Sequence, residues 1–72
     1  MMDKIRLLDV VAVIEDVQSE GLRRGEVGTV VELWQNGVFE VEFSDDAGNA
    51  YAFAALRPDQ LMKLYFRRDA AA

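Results

Sequence analysis

The sequence predicts an all-β domain, a small barrel of five short strands. Gly25 and Gly28 stand three residues apart and lead directly into a β-branched run, a spacing typical of a tight turn that feeds a strand. Asn36-Gly37 separates two apolar runs and indicates a hairpin, because both residues accept positive φ. In the run 38–43, three apolar residues at 39, 41 and 43 alternate with glutamates at 40 and 42, which is typical of a strand with one buried face.

The first half of the chain contains two strands joined by a polar loop. The run 9–14 is short, rich in β-branched residues and bounded by acids, which predicts the first strand. The loop 15–25 follows, and we expect Leu22 to tuck under it as an apolar anchor. The run 27–34 is then predicted as the second strand.

The third and fourth strands are predicted from alternation. In the strand 38–43, Phe39, Val41 and Phe43 share the core face, and Glu40 and Glu42 lie on the solvent face. A turn over 44–49 leads to the fourth strand, in which Tyr51 and Phe53 lie on the face opposite three alanines. The alanine face has little bulk, so a neighbouring backbone could come close.

A proline-initiated turn precedes the last strand. Pro58 is suited to opening one 3₁₀ turn over 56–61, and a strand-like run follows over 62–66. The tail 67–72 has nothing to bury and is expected to fray, so one domain spans 1–66. Five strands with a 3₁₀ turn before the last predict an SH3-like barrel, whose closure would remove exposed edges.

Size and composition favour association with another chain. A domain of 72 residues buries only about 60% of the surface that its unfolded chain exposes. The chain has no cysteine and no histidine, so disulfides and thiolate or imidazole metal sites cannot reinforce it. With a hydrophobic fraction of 51%, we expect a homo-oligomer or a complex with another protein.

Charge and hydropathy predict location and partner class. The net charge of −5 disfavours nucleic acid as a partner, because a negative field repels phosphates. Charges interrupt the first nine residues, which argues against a signal peptide, and no apolar run approaches the length of a membrane span. The cytoplasm is therefore the expected location.

The residue types disfavour catalysis. Without histidine or cysteine, the usual acid–base and nucleophilic groups are missing, and we expect no enzyme activity, no cofactor and no metal. Asp45-Asp46 with Asn49 resembles a calcium loop, but the order of ligands in an EF-hand is not met. A turn explains the same residues.

Two groups of residues are candidates for interaction. Arg23-Arg24 could touch phosphate, or could pair with nearby glutamates at the surface. Simple alternation places Val30 and Trp34 together on one face of the second strand, where Trp34 is either core or an interface anchor. Tyr65 and Phe66 close the barrel, one inward and one outward, or the outward one extends the same patch.

The chain resembles a known bacterial family in the segments 8–13, 20–32, 39–43 and 56–61. The most specific are Gly-Leu-x-x-Gly-x-x-Gly-Thr-Val-Val and Glu-Val-Glu-Phe, and the similarity to domain of unknown function 4926 runs over roughly 5–64. It implies a short bacterial protein with an SH3-like barrel and gives no catalytic residue. The Gly25-x-x-Gly28-x-Val30 turn is distantly similar to the KOW motif, although this chain is acidic where that motif tends to be basic.

These observations predict a non-enzymatic binding module. It would associate with itself or act as an acidic cognate of another protein. The alternative is a KOW-like nucleic-acid-binding barrel that uses Arg23, Arg24 and Trp34.

Overall fold

One antiparallel sheet of five strands makes up most of the fold. The computed structural model describes residues 4–65. The strands are β1 (Val10–Val13), β2 (Val27–Leu33), β3 (Phe39–Ser44), β4 (Ala50–Leu56) and β5 (Leu61–Lys63). Two 3₁₀ turns span Gln18–Glu20 and Pro58–Gln60. The predicted all-β class and the 3₁₀ turn before the last strand are confirmed, while Phe66 and the predicted tail 67–72 lie outside the described residues.

The sheet has two edges. Its order is β4-β3-β2-β1-β5, and every neighbouring pair is antiparallel. Within residues 4–65, β4 pairs with β3 and β5 pairs with β1, but the two edge strands do not pair with each other. The hydrogen-bonded sheet is therefore open, and its strands do not close into the barrel that the sequence predicts.

The core lies on one side of the sheet and takes side chains from every strand. The largest fully buried side chains are Phe43, Leu56, Val11, Val13, Val30 and Val41. In the middle of β4, Ala52 and Ala54 face the core, whereas Phe53 faces outward and is more than half exposed. Ala52 pairs with Phe43 and Ala50 pairs with Ser44, so Tyr51 is an extra residue in β4, and its ring lies 6.3 Å from that of the buried Phe43. Leu22 is buried and bridges to Val17 across the first 3₁₀ turn, which confirms its predicted role as the anchor of the loop.

The two glycines that lead into β2 have different roles. Gly25 has φ of 97°, in the region that favours glycine, and open space around it. Gly28 is buried without a positive φ, and a Cβ built there would lie 2.6 Å from Val41 Cγ1 and 2.7 Å from the carbonyl oxygen of Glu42. Gly28 therefore permits close backbone passage between β2 and β3.

Both long hairpins use the same turn. The Gly37 N–H donates to the Trp34 carbonyl at 3.1 Å, and the Gly48 N–H donates to the Asp45 carbonyl at 3.0 Å. The predicted hairpin at 36–37 is confirmed, but only Gly37 has positive φ (82°); Asn36 does not. The reason is an extra loop residue, Gln35, which lets a type I turn precede a left-handed glycine.

The acidic turn 45–49 is held by its own first residue. Asp45 Oδ1 accepts hydrogen bonds from the backbone N–H groups of Ala47 at 3.0 Å and Asn49 at 2.9 Å. These bonds account for the aspartate as a turn residue.

None of the helical segments in residues 4–65 has the length and apolar character needed to cross a membrane.

Candidate binding surface around Trp34

A β-bulge in β2 decides where Trp34 lies. Val30 pairs with Val41, but Glu32 pairs with Glu40, so Val31 is an extra residue on β2. The insertion reverses the alternation of faces after it. The prediction that Val30 and Trp34 share a face is therefore wrong: Val30 is fully buried in the core, while Trp34 lies on the outer face and is 49% exposed.

The hairpin turn fixes the position of the indole. The Trp34 N–H donates to the Val38 carbonyl at 2.9 Å, and Asn36 Oδ1 accepts from the Val38 N–H at 3.3 Å. On the outer face, Trp34 Nε1 donates to Glu40 Oε1 at 3.3 Å. The ring is thus held at the end of the sheet by its backbone and by one side-chain bond.

Hollows surround this hairpin on both sides of the sheet. An outer hollow of about 400 Å³ is bounded by Trp34, Glu40 and Ala55. An inner hollow of about 460 Å³ has a mainly apolar lining with one lysine at its boundary; it is lined by Lys4, Ile5, Leu33, Trp34, Gly37, Val38, Phe39 and Pro58. Trp34 borders both, so one half-exposed aromatic side chain separates two concave surfaces. We call these two hollows and their indole the Trp34 surface.

The Trp34 surface is acidic on its outer side. Glu32 and Glu40 are directly opposite each other on β2 and β3. Like charges in this position repel and are destabilising. Within residues 4–65, no lysine or arginine lies within salt-bridge distance of either carboxylate. The arrangement leaves two negative charges beside an exposed indole.

The arginine doublet lies at the other end of β2. Arg23 and Arg24 are exposed in the loop before Val27, and the seven residues of β2 separate them from Trp34 by about 20 Å. Their backbone N–H groups are bound by carboxylates: Arg24 donates to Asp16 Oδ1 at 2.8 Å, and Arg23 donates to Glu26 Oε2 at 2.6 Å. The structure does not bring the predicted arginines and Trp34 together.

Of the remaining aromatic candidates, the structure describes Tyr65, which follows β5. Tyr65 is 63% exposed, and the Nζ atom of Lys63 lies 5.4 Å from the centroid of its ring. Phe66, the other predicted residue, is outside the part of the chain that the structure describes. Within that part, no cluster of three or more aspartates or glutamates has the arrangement of a metal site.

One interaction that the sequence did not predict joins β4 to the loop before β2. The Tyr51 hydroxyl donates to Glu26 Oε1 at 2.6 Å. This bond raises the pKa of Tyr51 to about 12, with burial and the negative charge of Glu26 adding to the effect. The same bond, together with that from the Arg23 N–H, lowers the pKa of Glu26 below its usual value. The contact joins residues 25 apart in sequence, which no local pattern indicates.

Tyr51→Phe tests this bond by its pH dependence. Between neutral pH and about pH 10, Glu26 is ionised and tyrosine is protonated in both the folded and the unfolded chain, so the bond contributes in full. Between about pH 10 and 12 the unfolded chain loses the proton first, and that contribution disappears. We expect the difference in unfolding free energy between wild type and Tyr51→Phe, measured by urea denaturation, to shrink across this window. A difference that stays constant to pH 12 would contradict the assignment.

Comparison with known proteins gives one result. No curated protein and no solved structure matches the chain. The family model described as Domain of unknown function (DUF4926) matches residues 7–63, which include all five strands and both 3₁₀ turns. The family resemblance predicted from the sequence is confirmed, and the chain belongs to the family Domain of unknown function (DUF4926).

Proposed function

We propose that this protein is a non-enzymatic binding module that holds a segment of another protein on the Trp34 surface. The observation that carries the proposal is the half-exposed indole between two hollows, beside a pair of opposed glutamates. Aromatic anchors in concave pockets dominate the energetics of protein interfaces.

The inner hollow supports an apolar contact. Its lining is mainly hydrophobic, and its volume of about 460 Å³ lies within the range of pockets that enclose small groups. One apolar side chain of a partner could pack there between Trp34 and Pro58. Burial of such a side chain contributes roughly 1.5–3 kcal/mol.

The outer hollow supports a cationic contact. An arginine or lysine placed over the indole would gain about 0.5–1 kcal/mol from its cation–π interaction at an exposed site. The same cation would relieve the repulsion between Glu32 and Glu40. The partner segment therefore combines a basic residue with an adjacent apolar one, which suits a chain of net charge −5.

We also propose that the five-stranded sheet is an SH3-like barrel. An SH3-like barrel is supported by the strand order β4-β3-β2-β1-β5 and by the 3₁₀ turn that enters β5. Folds of this kind host many unrelated functions, so the Trp34 surface carries the functional argument and the fold does not.

Selection from a random peptide library tests the proposal. Immobilised wild type should enrich peptides in which arginine or lysine stands next to an apolar residue. Trp34→Ala should lose this enrichment, and Glu32→Arg should lose the preference for basic residues. Met62→Ala is the matched control, because Met62 is equally exposed but lies on β5.

Two results would overturn the proposal. One is the absence of enrichment by wild type, and the other is equal enrichment by Trp34→Ala. Titration with single-stranded RNA and DNA at low salt addresses the nucleic-acid alternative. We expect no binding; affinity that falls steeply with salt and is lost in Arg23→Ala would assign the function to the arginine loop instead.

A further inference from the structure

A tight turn before β1 holds a leucine in a strained conformation. The Asp9 N–H donates to the Arg6 carbonyl at 3.1 Å, and Leu8, the third residue of this turn, has φ of 72°. Glycine and asparagine are the usual residues there, because a bulky side chain is crowded at positive φ. The Leu8 N–H donates to the Val30 carbonyl at 2.7 Å, which fixes the turn to β2. We call residues 6–9 the Leu8 turn.

The two leucines of the Leu8 turn add little to the core. Leu8 is 69% exposed and Leu7 is 51% exposed. Neither of them lines the inner hollow of its own chain. Strained backbone conformations cluster at functional sites, and here the strain presents an apolar side chain to the surroundings. Contact with another molecule therefore accounts for a leucine where the backbone favours glycine or asparagine.

A basic side chain adjoins these leucines. Arg6 is exposed, and among residues 4–65 no carboxylate lies within salt-bridge distance of its guanidinium group. Asp9 accepts a hydrogen bond from the Arg6 backbone N–H at 2.7 Å, but its ion pair is with Lys63, at 3.2 Å. The Leu8 turn thus combines a cation with adjacent apolar side chains, which is the combination that suits the Trp34 surface.

We propose that the partner segment held by the Trp34 surface is the Leu8 turn of a second copy of this chain. The inference rests on the proposed function, because it names the occupant of the same surface. A chain of net charge −5 offers few exposed segments that are both basic and apolar, and this one is fixed in place before any contact is made.

Charges on the Trp34 surface determine how the turn is oriented. Lys4 lines the inner hollow, so a second cation is repelled from that side. Glu32 and Glu40 make the outer side acidic. The leucines of the turn therefore enter the inner hollow, while Arg6 lies over the indole and near the two glutamates.

The Leu8 turn lies close to the Trp34 surface of its own chain. Leu8 is bonded to Val30, and Trp34 follows four residues later, about 13 Å along β2. Lys4 and Ile5, which line the inner hollow, come directly before the turn. A two-fold axis between the turn and the hollow gives each copy both roles. The contact is then made twice, and the assembly closes as a dimer.

Sedimentation velocity over a series of micromolar concentrations tests the apolar part of the contact. Wild type should shift reversibly from monomer to dimer as its concentration rises. Leu8→Asn should weaken dimerisation about tenfold or more, because it removes a buried leucine from both contacts. Its urea midpoint should be no lower than that of wild type, since asparagine tolerates positive φ. Met62→Gln is the matched control: Met62 is 52% exposed on β5, and this variant should dimerise like wild type.

A pair of charge reversals tests the cationic part. Arg6→Glu should also weaken dimerisation about tenfold or more, because it places a carboxylate beside Glu32 and Glu40. Arg24→Glu makes the same change in net charge at the other end of β2 and should have little effect.

Mixing two variants tests which surfaces meet. Leu8→Asn keeps the Trp34 surface intact, and Trp34→Ala keeps the Leu8 turn intact. Neither homodimer has an intact contact, whereas the heterodimer has one. In the other contact of the heterodimer both side chains are altered, and the second change removes an interaction already lost. We expect heterodimers to form more tightly than random mixing of the two homodimers gives.

Three results would overturn the inference. They are a wild type that stays monomeric, a control variant that weakens the dimer as much as Leu8→Asn, and random mixing of the two variants. Peptide selection separates this failure from that of the proposed function. Enrichment of basic and apolar peptides by a monomeric wild type would overturn the self-association alone. Dimerisation that survives Trp34→Ala, with no peptide enriched, would overturn both.

Discussion

Gly28→Ala is expected to lower the free energy of unfolding by about 3 kcal/mol or more. The added Cβ would lie 2.7 Å from the carbonyl oxygen of Glu42 and 2.6 Å from Val41 Cγ1, so the backbones of β2 and β3 must separate. A domain of this size has a total stability of only about 3–5 kcal/mol. The variant should therefore be largely unfolded without denaturant, as measured by urea titration with circular dichroism.

Gly25→Ala is the matched control for Gly28→Ala. Gly25 has open space around it, so only its φ of 97° opposes a side chain, at a cost of about 1–2 kcal/mol. We expect this variant to fold with a lower urea midpoint. Val41→Ala should not rescue Gly28→Ala, because the contact with the Glu42 carbonyl oxygen remains. Full rescue, or equal effects of the two glycine substitutions, would contradict the close approach of the strands.

Phe43→Ala is expected to cost about 3–5 kcal/mol of unfolding free energy. Phe43 is fully buried, and its ring lies against Gly28 and 6.3 Å from the ring of Tyr51. Truncation leaves a cavity at the centre of the sheet that the backbone cannot fill. Because this loss is as large as the total stability of the domain, circular dichroism without denaturant should show Phe43→Ala largely unfolded.

Phe53→Ala tests whether burial, rather than the residue type, determines the loss of stability. Phe53 belongs to the neighbouring strand but points outward and is 57% exposed. Its truncation should change the stability of the monomer by about 0.5 kcal/mol or less. Comparable losses for Phe43→Ala and Phe53→Ala would contradict the assignment of the two faces of the sheet.

Local patterns were sufficient to predict much of the fold. The alternation around Val41 identified the core face of β3, and the glycine at position 37 identified the hairpin, because both signals arise from neighbouring residues. The outward direction of Phe53 was not assigned from the sequence, since either face of β4 was apolar. Packing against Phe43 and Leu56 decides it, and packing depends on distant strands.

The candidate surface around Trp34 was predicted only in part. The sequence left Trp34 as either a core residue or an interface anchor, and the structure leaves its side chain 49% exposed. The alternation rule placed it with Val30, because no residue type marks the bulge at Val31. The opposition of Glu32 and Glu40 depends on that same bulge. The contact between Glu26 and Tyr51 depends on the order of the strands in the sheet, which no pattern of neighbouring residues reveals.

The inserted residue at Val31 lets a single strand serve two environments. Before the bulge, Val30 packs in the core. After the bulge, the side chain of Trp34 is half exposed to solvent. Without the bulge, Val30 and Trp34 would lie on the same face of the sheet. Either Val30 would then be missing from the core, or the indole would be buried in it. The irregularity therefore separates what keeps the chain folded from what it can present to other molecules.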